Sequence, residues 1–206
     1  MSVSEKTKTD WAGLIKKSIS ASILIGLGNY ALLKLGNPIG PIIFAFGLLG
    51  VCYLGQNLFT GKCGFLLEDK IPLLQLFTIL IINLAAGYLI GVLFNLTDST
   101  LTEAASAKIA TWELSWSFFL KAIFCGVIMY LAVAMFRKGT PLGIIFGIPL
   151  FIFCGFQHCI ANVITLGVAM DFSPSLLLAI LGNFTGSLIM WYLATNLHIK
   201  ITAEKA

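Results

Sequence analysis

The sequence predicts an all-α membrane protein of six transmembrane helices in a three-plus-three inverted repeat, with the second and fifth helices broken. Three observations carry this expectation. Of 206 residues, 58% are hydrophobic and only 11% charged, with a strongly positive mean hydropathy, which is outside the range of soluble domains. The apolar residues come in runs of about 18 to 29, and a run near 20 spans a bilayer core of about 30 Å. Two of those runs carry polar and glycine-rich interruptions, and they are the second and the fifth.

The first run, Ser18 to Leu35, follows Lys16 and Lys17; it is full length and has more runs behind it, so it reads as a retained span rather than a signal peptide. The second run covers Ile39 to Phe59 and ends in "GQNLFTGKCG", where three glycines with Gln56, Asn57, Thr60 and Lys62 should break the helix. The third is Ile71 to Leu96, followed by the longest polar connection, Thr97 to Glu113. The fourth is Leu114 to Phe136. The fifth, Leu142 to Met170, is longer than a straight span needs and holds "CGFQHCIANV" near its middle, which predicts a tilt or a break. The sixth is Ser175 to Leu197. With short linkers the chain reads as one membrane domain, residues 1–206, with short tails at about 1–15 and 199–206.

Charge sets the expected orientation. Lys6, Lys8, Lys16, Lys17, Lys70, Arg137, Lys138, Lys200 and Lys205 fall on one side, and Lys34 and Lys108 on the other, so the positive-inside rule puts both termini in the cytoplasm of a multi-pass protein of the cell inner (plasma) membrane. The formal +4 charge is then topology; no basic patch with interleaved aromatics suggests nucleic acid. Trp11, Trp112, Trp116, Trp191 and Tyr192 fall near span ends and read as interfacial anchors. Lys121, inside the fourth span, reads as snorkelling or paired. Cys52, Cys63, Cys125, Cys154 and Cys159 lack metal-ligand spacing and read as packing residues; no cofactor is expected.

Polar groups in hydrocarbon cost several kcal/mol unless they face protein or a watery cavity, so the two interruptions are the candidate site. They can be overlaid, Gln56 on Gln157, Phe59 on Ile160 and Gly61 on Asn162. An odd number of spans per half inverts the halves, and broken helices at corresponding places would meet near the midplane.

These residues resemble the formate/nitrite transporter family. "NLFTG" at Asn57 to Gly61 is similar to the family's loop in the second helix, "GFQHCIAN" at Gly155 to Asn162 to its fifth-helix signature, and "LGNFTGSL" at Leu181 to Leu188 to its sixth-helix pattern. The resemblance implies an aquaporin-like protomer, a homopentamer and a pore through each protomer. It implies that His158 is the central pore histidine, Thr60 the loop threonine facing it, and Asn162 part of the same signature. Phe44 and Phe151 fall at the family's outer constriction, and Leu48, Leu58 and Phe59 at the inner one. Lys108 resembles the lysine that draws anions to the outer vestibule. The sequence departs from the family pattern at Gly126, Gln157 and Lys62, and its short amino-terminal segment implies no gating from there.

The expected function is passage of a small monovalent anion or its conjugate acid, formate first and nitrite second, then hydrosulfide or a short monocarboxylate. Apolar constrictions exclude hydrated ions, while a histidine that titrates near neutrality can supply or relay a proton between them. The basic side chains Lys108 and Lys62 would concentrate anions at the two ends of that path. The competing class is a membrane redox protein holding haem or quinone through His158. It needs a second histidine at similar depth, and His198 falls at the far end of the sixth span.

Overall fold

The computed structural model describes residues 9–203, with side chains to residue 195. Lys6, Lys8 and Lys205, counted in the charge bias, lie outside the described residues, as do the side chains of His198 and Lys200.

All regular structure among the described residues is helical. The order is α1 (Trp11–Leu35), α2 (Ile39–Tyr53), α3 (Phe59–Lys62) with a 3-10 turn at Cys63–Phe65, α4 (Leu73–Thr97), α5 (Leu101–Ile109), α6 (Trp116–Arg137), α7 (Leu142–Phe153), α8 (Cys159–Ala169) and α9 (Ser175–Ala203). Of these, α1, α4, α6 and α9 (Ser175–Thr195) are long and apolar enough to cross a membrane. Two of the six expected runs are each two helices: the second is α2 and α3, and the fifth is α7 and α8.

Helix ends follow local chemistry. Asp10 caps α1 by accepting from the Gly13 N–H at 2.9 Å, and Ser115 caps α6 by accepting from Phe118 N–H at 3.2 Å. Pro72 and Pro141 stand immediately before α4 and α7, where a missing N–H costs nothing. The polar third connection is not a plain loop, since α5 forms there by burying Leu101 and Ala105 against Val168, Phe94 and Tyr30.

The helices turn apolar side chains outward and polar ones inward. Ile19, Ile23 and Leu27 of α1, and Leu89 and Leu93 of α4, are exposed, while Ser18, Ser22, Asn29, Asn83, Asn183 and Ser187 are fully buried. Lipid supplies no hydrogen bonds, so this reversal is what a bilayer selects. Helix α1 packs on α2 and α4, as α6 packs on α7 and α9; α4 meets α8 and α2 meets α7 across the centre. Trp112 departs from the anchor expectation: it is buried, with its ring edge-on to Phe118. Trp191 is half-buried against the cluster of Phe65, Tyr130 and Val133, while Trp11, Trp116 and Tyr192 are exposed.

Candidate functional site

Each broken helix is turned by a glycine in the left-handed region, Gly55 at φ +61° and Gly155 at φ +68°, conformations that carry no Cβ penalty for glycine. An extended residue then caps the second half: Leu58 (φ −103°, ψ 127°) begins α3 and His158 (φ −104°, ψ 114°) begins α8. Breaking a helix at this depth orphans backbone groups, and two buried asparagines take them up. Asn83 of α4 accepts from Phe59 N–H at 2.8 Å and donates to the carbonyls of Asn57 (3.1 Å) and Ser18 (2.8 Å). Asn183 of α9 accepts from Cys159 N–H at 2.8 Å and donates to the carbonyls of Gln157 (2.7 Å) and Ala122 (2.9 Å).

The two clamps fix the register between the two broken segments. Gly55 answers to Gly155, Leu58 to His158 and Phe59 to Cys159, the numbers differing by 100 (155 less 55). The overlay of Gln56 on Gln157, Phe59 on Ile160 and Gly61 on Asn162 is therefore one residue out of step; backbone geometry, not the shared glutamine, sets the alignment.

Thr60 and His158 meet in the interior, Thr60 Oγ1 lying 2.8 Å from His158 Nε2, with both side chains buried. The Ala161 N–H donates to His158 Nδ1 at 3.1 Å. A neutral imidazole has one donor and one acceptor nitrogen, so the proton sits on Nε2 and is donated to Thr60 Oγ1. The Thr60 hydroxyl hydrogen is thereby left to point elsewhere. The imidazole stacks on Phe151 (centroids 5.8 Å apart, 23°), and Phe151 stands edge-on to Phe44 at 6.1 Å.

Two cavities approach this pair from opposite ends. One, of about 290 Å³, is lined by His158, Asn162, Gln157, Phe44, Phe151 and Lys108 among others. The other, of about 160 Å³, is lined by Leu48, Leu58, Gln56, Cys52, Lys62 and Arg137 among others. They are built alike: Val51, Cys52, Gly55, Gln56, Leu58, Gly61 and Lys62 line the second, and the residues 100 positions on line the first, from Phe151 to Asn162 (162 less 62). Leu48 and Leu58 are buried, as are Phe44 and Phe151. Phe59 lines neither cavity; its ring stacks on Phe184 at 6.5 Å. Asn162 donates to Gln157 Oε1 at 3.0 Å.

Helix α5 brings Lys108 to the first cavity. Burial lowers its ammonium to about 8. The start of α5 is tied down by Asp98, whose carboxylate accepts from Lys34 Nζ (2.6 Å), Tyr30 (3.0 Å) and the Thr100 hydroxyl (2.5 Å). Those partners, Lys34 foremost, hold the Asp98 carboxyl well below the usual range. At the other end Arg137 is engaged by Asp69 through both terminal nitrogens and lies 3.7 Å over the Phe65 ring. That pairing holds the Asp69 carboxyl low.

Gly126 lines neither cavity. It lies at the seam of α6 and α9, where a Cβ would come within 2.9 Å of Ser187 N, and Ser187 Oγ donates to its carbonyl at 3.0 Å. Lys121 has an exposed side chain, and its carbonyl accepts from Gln157 N–H at 3.4 Å. Among the described residues no group of three or more His, Cys, Asp or Glu is arranged to hold a metal, and all five cysteines are free. Sequence reasoning missed Asn83 and the cavity-lining place of Arg137. An asparagine within an apolar span was the available signal for the first; span-end arginines are too common to mark the second.

Residues 2–197 match the family model described as formate/nitrite transporter. Two curated relatives come from Bacillus subtilis (strain 168). The uncharacterized transporter YrhG is 29% identical over 184 residues, covering 76% of this chain and 69% of YrhG. The uncharacterized transporter YwcJ is 26% identical over 218 residues, covering 85% of each. Among solved structures, one described as an FNT family ion channel superposes with TM-score 0.72 at 21% identity, covering 94% of this chain and 91% of that one. A pentameric formate channel with formate bound gives TM-score 0.72 at 18% identity, covering 95% and 99%. At these identities the structural likeness speaks for the fold.

Proposed function

Because the chain belongs to the formate/nitrite transporter family, we propose that it passes a small monovalent anion or its conjugate acid, formate first and nitrite second, along the path between its two cavities. It is an integral membrane transport protein and not an enzyme, as the family and its structural neighbours are. The observation that carries the substrate reading is the buried Thr60–His158 pair set between Phe44 and Phe151 on one side and Leu48 and Leu58 on the other, with a largely apolar cavity that carries a basic side chain reaching in from each end.

The chemistry follows from desolvation. An apolar slit opposes a bare charge far more strongly than a small neutral acid, so the anion crosses as its acid and leaves as an anion. Lys108 gathers anions in the larger cavity, and His158 mediates the proton-linked step at its floor. Neutral His158 holds its one ring proton on Nε2, hydrogen-bonded to Thr60 Oγ1; giving that proton away outright would leave an imidazolate. A relay through the ring therefore takes up a proton from solvent at Nδ1, releasing the Ala161 N–H, as Nε2 gives its proton to Thr60 Oγ1 and Thr60 passes its own hydroxyl proton to the anion.

The repeated asparagine clamps support reading the chain as six spans in two inverted halves, the broken helices each completing one span. The lysine bias supports cytoplasmic termini in the cell inner membrane, with the Lys62 cavity opening inward and the Lys108 cavity outward. The likeness to a pentameric channel supports a homopentamer with one path per protomer. Liposome flux measured for formate, nitrite, hydrosulfide and a short monocarboxylate tests the substrate reading. Formate and nitrite should pass fastest. Flux of none of the four would refute it, and the mass of the detergent-solubilised particle checks the pentamer.

A further inference from the structure

At the Lys108 end of the molecule, α5 is seated in a groove between α1 and α4. Leu101 and Ala105 are buried against Tyr30, Phe94 and Val168, and the Asp98 carboxylate accepts from Lys34 Nζ and from the Tyr30 hydroxyl. A matching groove lies at the Arg137 end, between α6 and α9. Asn57 N–H donates to the Lys17 carbonyl and Gln157 N–H to that of Lys121, so α6 follows α1 at an offset of 104 (121 less 17). The two clamps place α9 after α4 at 100 (183 less 83). By these offsets Tyr30, Lys34 and Phe94 correspond to Ala134, Lys138 and Ala194. All three line a cavity of about 390 Å³, together with Leu131, Met135 and Arg137. The Tyr30 and Phe94 rings, edge-on at 5.1 Å in the first groove, are replaced by two alanine methyls in the second, which opens the space. Among the described residues no element fills it as α5 fills its counterpart.

The walls prescribe an occupant. Leu131 and Met135 are exposed apolar side chains, and Ala134 lies one helical turn below Lys138. At the rim, the Arg137 guanidinium is already bound by Asp69 and approached by Glu68 at 3.7 Å. The Lys138 ammonium is exposed and has no hydrogen-bond or ion-pair partner among the described residues, whereas its counterpart Lys34 has Asp98. The groove therefore suits a molecule that is apolar over a turn of helix and anionic at its end. A water-soluble anion would satisfy Lys138 and leave the apolar wall bare. A zwitterionic lipid would bring its own cation to the ammonium. An anionic phospholipid meets both demands, and a groove at the end of two spans is open to it sideways from one leaflet.

We infer that this groove binds one anionic phospholipid, its acyl chain laid along Leu131, Ala134, Met135 and Ala194 and its phosphate on Lys138. In the orientation proposed above, that leaflet is the cytoplasmic one. The lipid takes the place that α5 takes at the other end, and its phosphate stands to Lys138 as Asp98 stands to Lys34. The inference rests on the membrane fold and is independent of which substrate passes.

Native mass spectrometry of the detergent-solubilised full chain, titrated with phosphatidylglycerol or with phosphatidylcholine of the same acyl chains, reads the site without flux. Wild type should retain phosphatidylglycerol preferentially, up to one molecule per protomer. Lys138→Gln should weaken that retention about fivefold, the contribution of one basic side chain at a membrane surface, and leave phosphatidylcholine unchanged. Lys138→Arg should restore it. Lys70→Gln, at the same end but outside the groove, should change nothing. Ala194→Phe, which installs the residue of the counterpart groove, should lower retention of both lipids. Thermal unfolding in the same micelles gives a second readout: phosphatidylglycerol should raise the unfolding temperature of wild type and not of Lys138→Gln. Equal retention of phosphatidylglycerol by wild type and Lys138→Gln overturns the site. A folded Ala194→Phe protein with a smaller particle mass than wild type would seat a neighbouring protomer in the groove and overturn it as well.

Discussion

At the scale of single residues, the site depends on which polar groups are committed and which are free. Ala161 N–H occupies Nδ1 of His158, and that one backbone bond decides which nitrogen faces Thr60. Lys108, outside the spans, has a charge that changes near working pH. Burial places its ammonium at about 8, so it is charged below that value and neutral above. Anion capture at the Lys108 mouth should therefore weaken as the outer pH rises through about 8. Lys108→Arg, charged at every accessible pH, should flatten that limb, and Lys108→Ala should lower flux at all pH values. Initial-rate measurements from pH 6 to 9 check this; a limb unchanged in Lys108→Arg would assign the titration elsewhere. Asp98 does not contribute in that window. Its carboxyl is depressed in the folded state, so its stabilisation is present above the ordinary carboxylate pKa of about 3.9 and is lost only in stronger acid.

At the scale of elements, the broken helices carry the architecture. Gly-rich polar interruptions announced both breaks in the sequence, because an apolar helix has no other reason to hold Gln56, Asn57, Gln157 and His158 in its middle. The register was less legible. Similar side chains suggested one alignment, while positive-φ glycines and clamped N–H groups impose another, and only the backbone reveals them. Helix α5 was hidden for a related reason: nine residues of mixed polarity carry little periodic signal until Val168 and Phe94 are there to bury Leu101 and Ala105. Asn83 looked like one polar residue in a long apolar run, yet it closes three hydrogen bonds. Removing either clamp leaves buried backbone groups unpaired, at about 1–3 kcal/mol each. Asn83→Ala and Asn183→Ala should both lower the unfolding temperature in detergent. Asn183→Ala should also reduce flux more, because its break carries His158. Equal thermal stability of wild type and either variant would show that the clamp is dispensable.

At the scale of the whole molecule, the outward apolar faces and buried polar seams suit a bilayer, and the two opposed cavities are the ends of the proposed path. Membrane insertion was legible from composition and run length. The meeting of Thr60 with His158 was legible only through resemblance, since no spacing rule joins residues 98 apart (158 less 60). The central claim is that His158 links passage to a proton. Formate flux into liposomes at external pH 5 to 8, for wild type, His158→Asn and His158→Phe, each shown to assemble, tests it most directly. Asparagine keeps a hydrogen-bond donor but has no ring nitrogen to take up and hand on a proton, so His158→Asn should still pass anions but lose the pH dependence of transport between pH 5 and 7, and His158→Phe should close the path. Wild-type pH dependence in His158→Asn would contradict the proton-linked role of His158, even in a protein that carries formate.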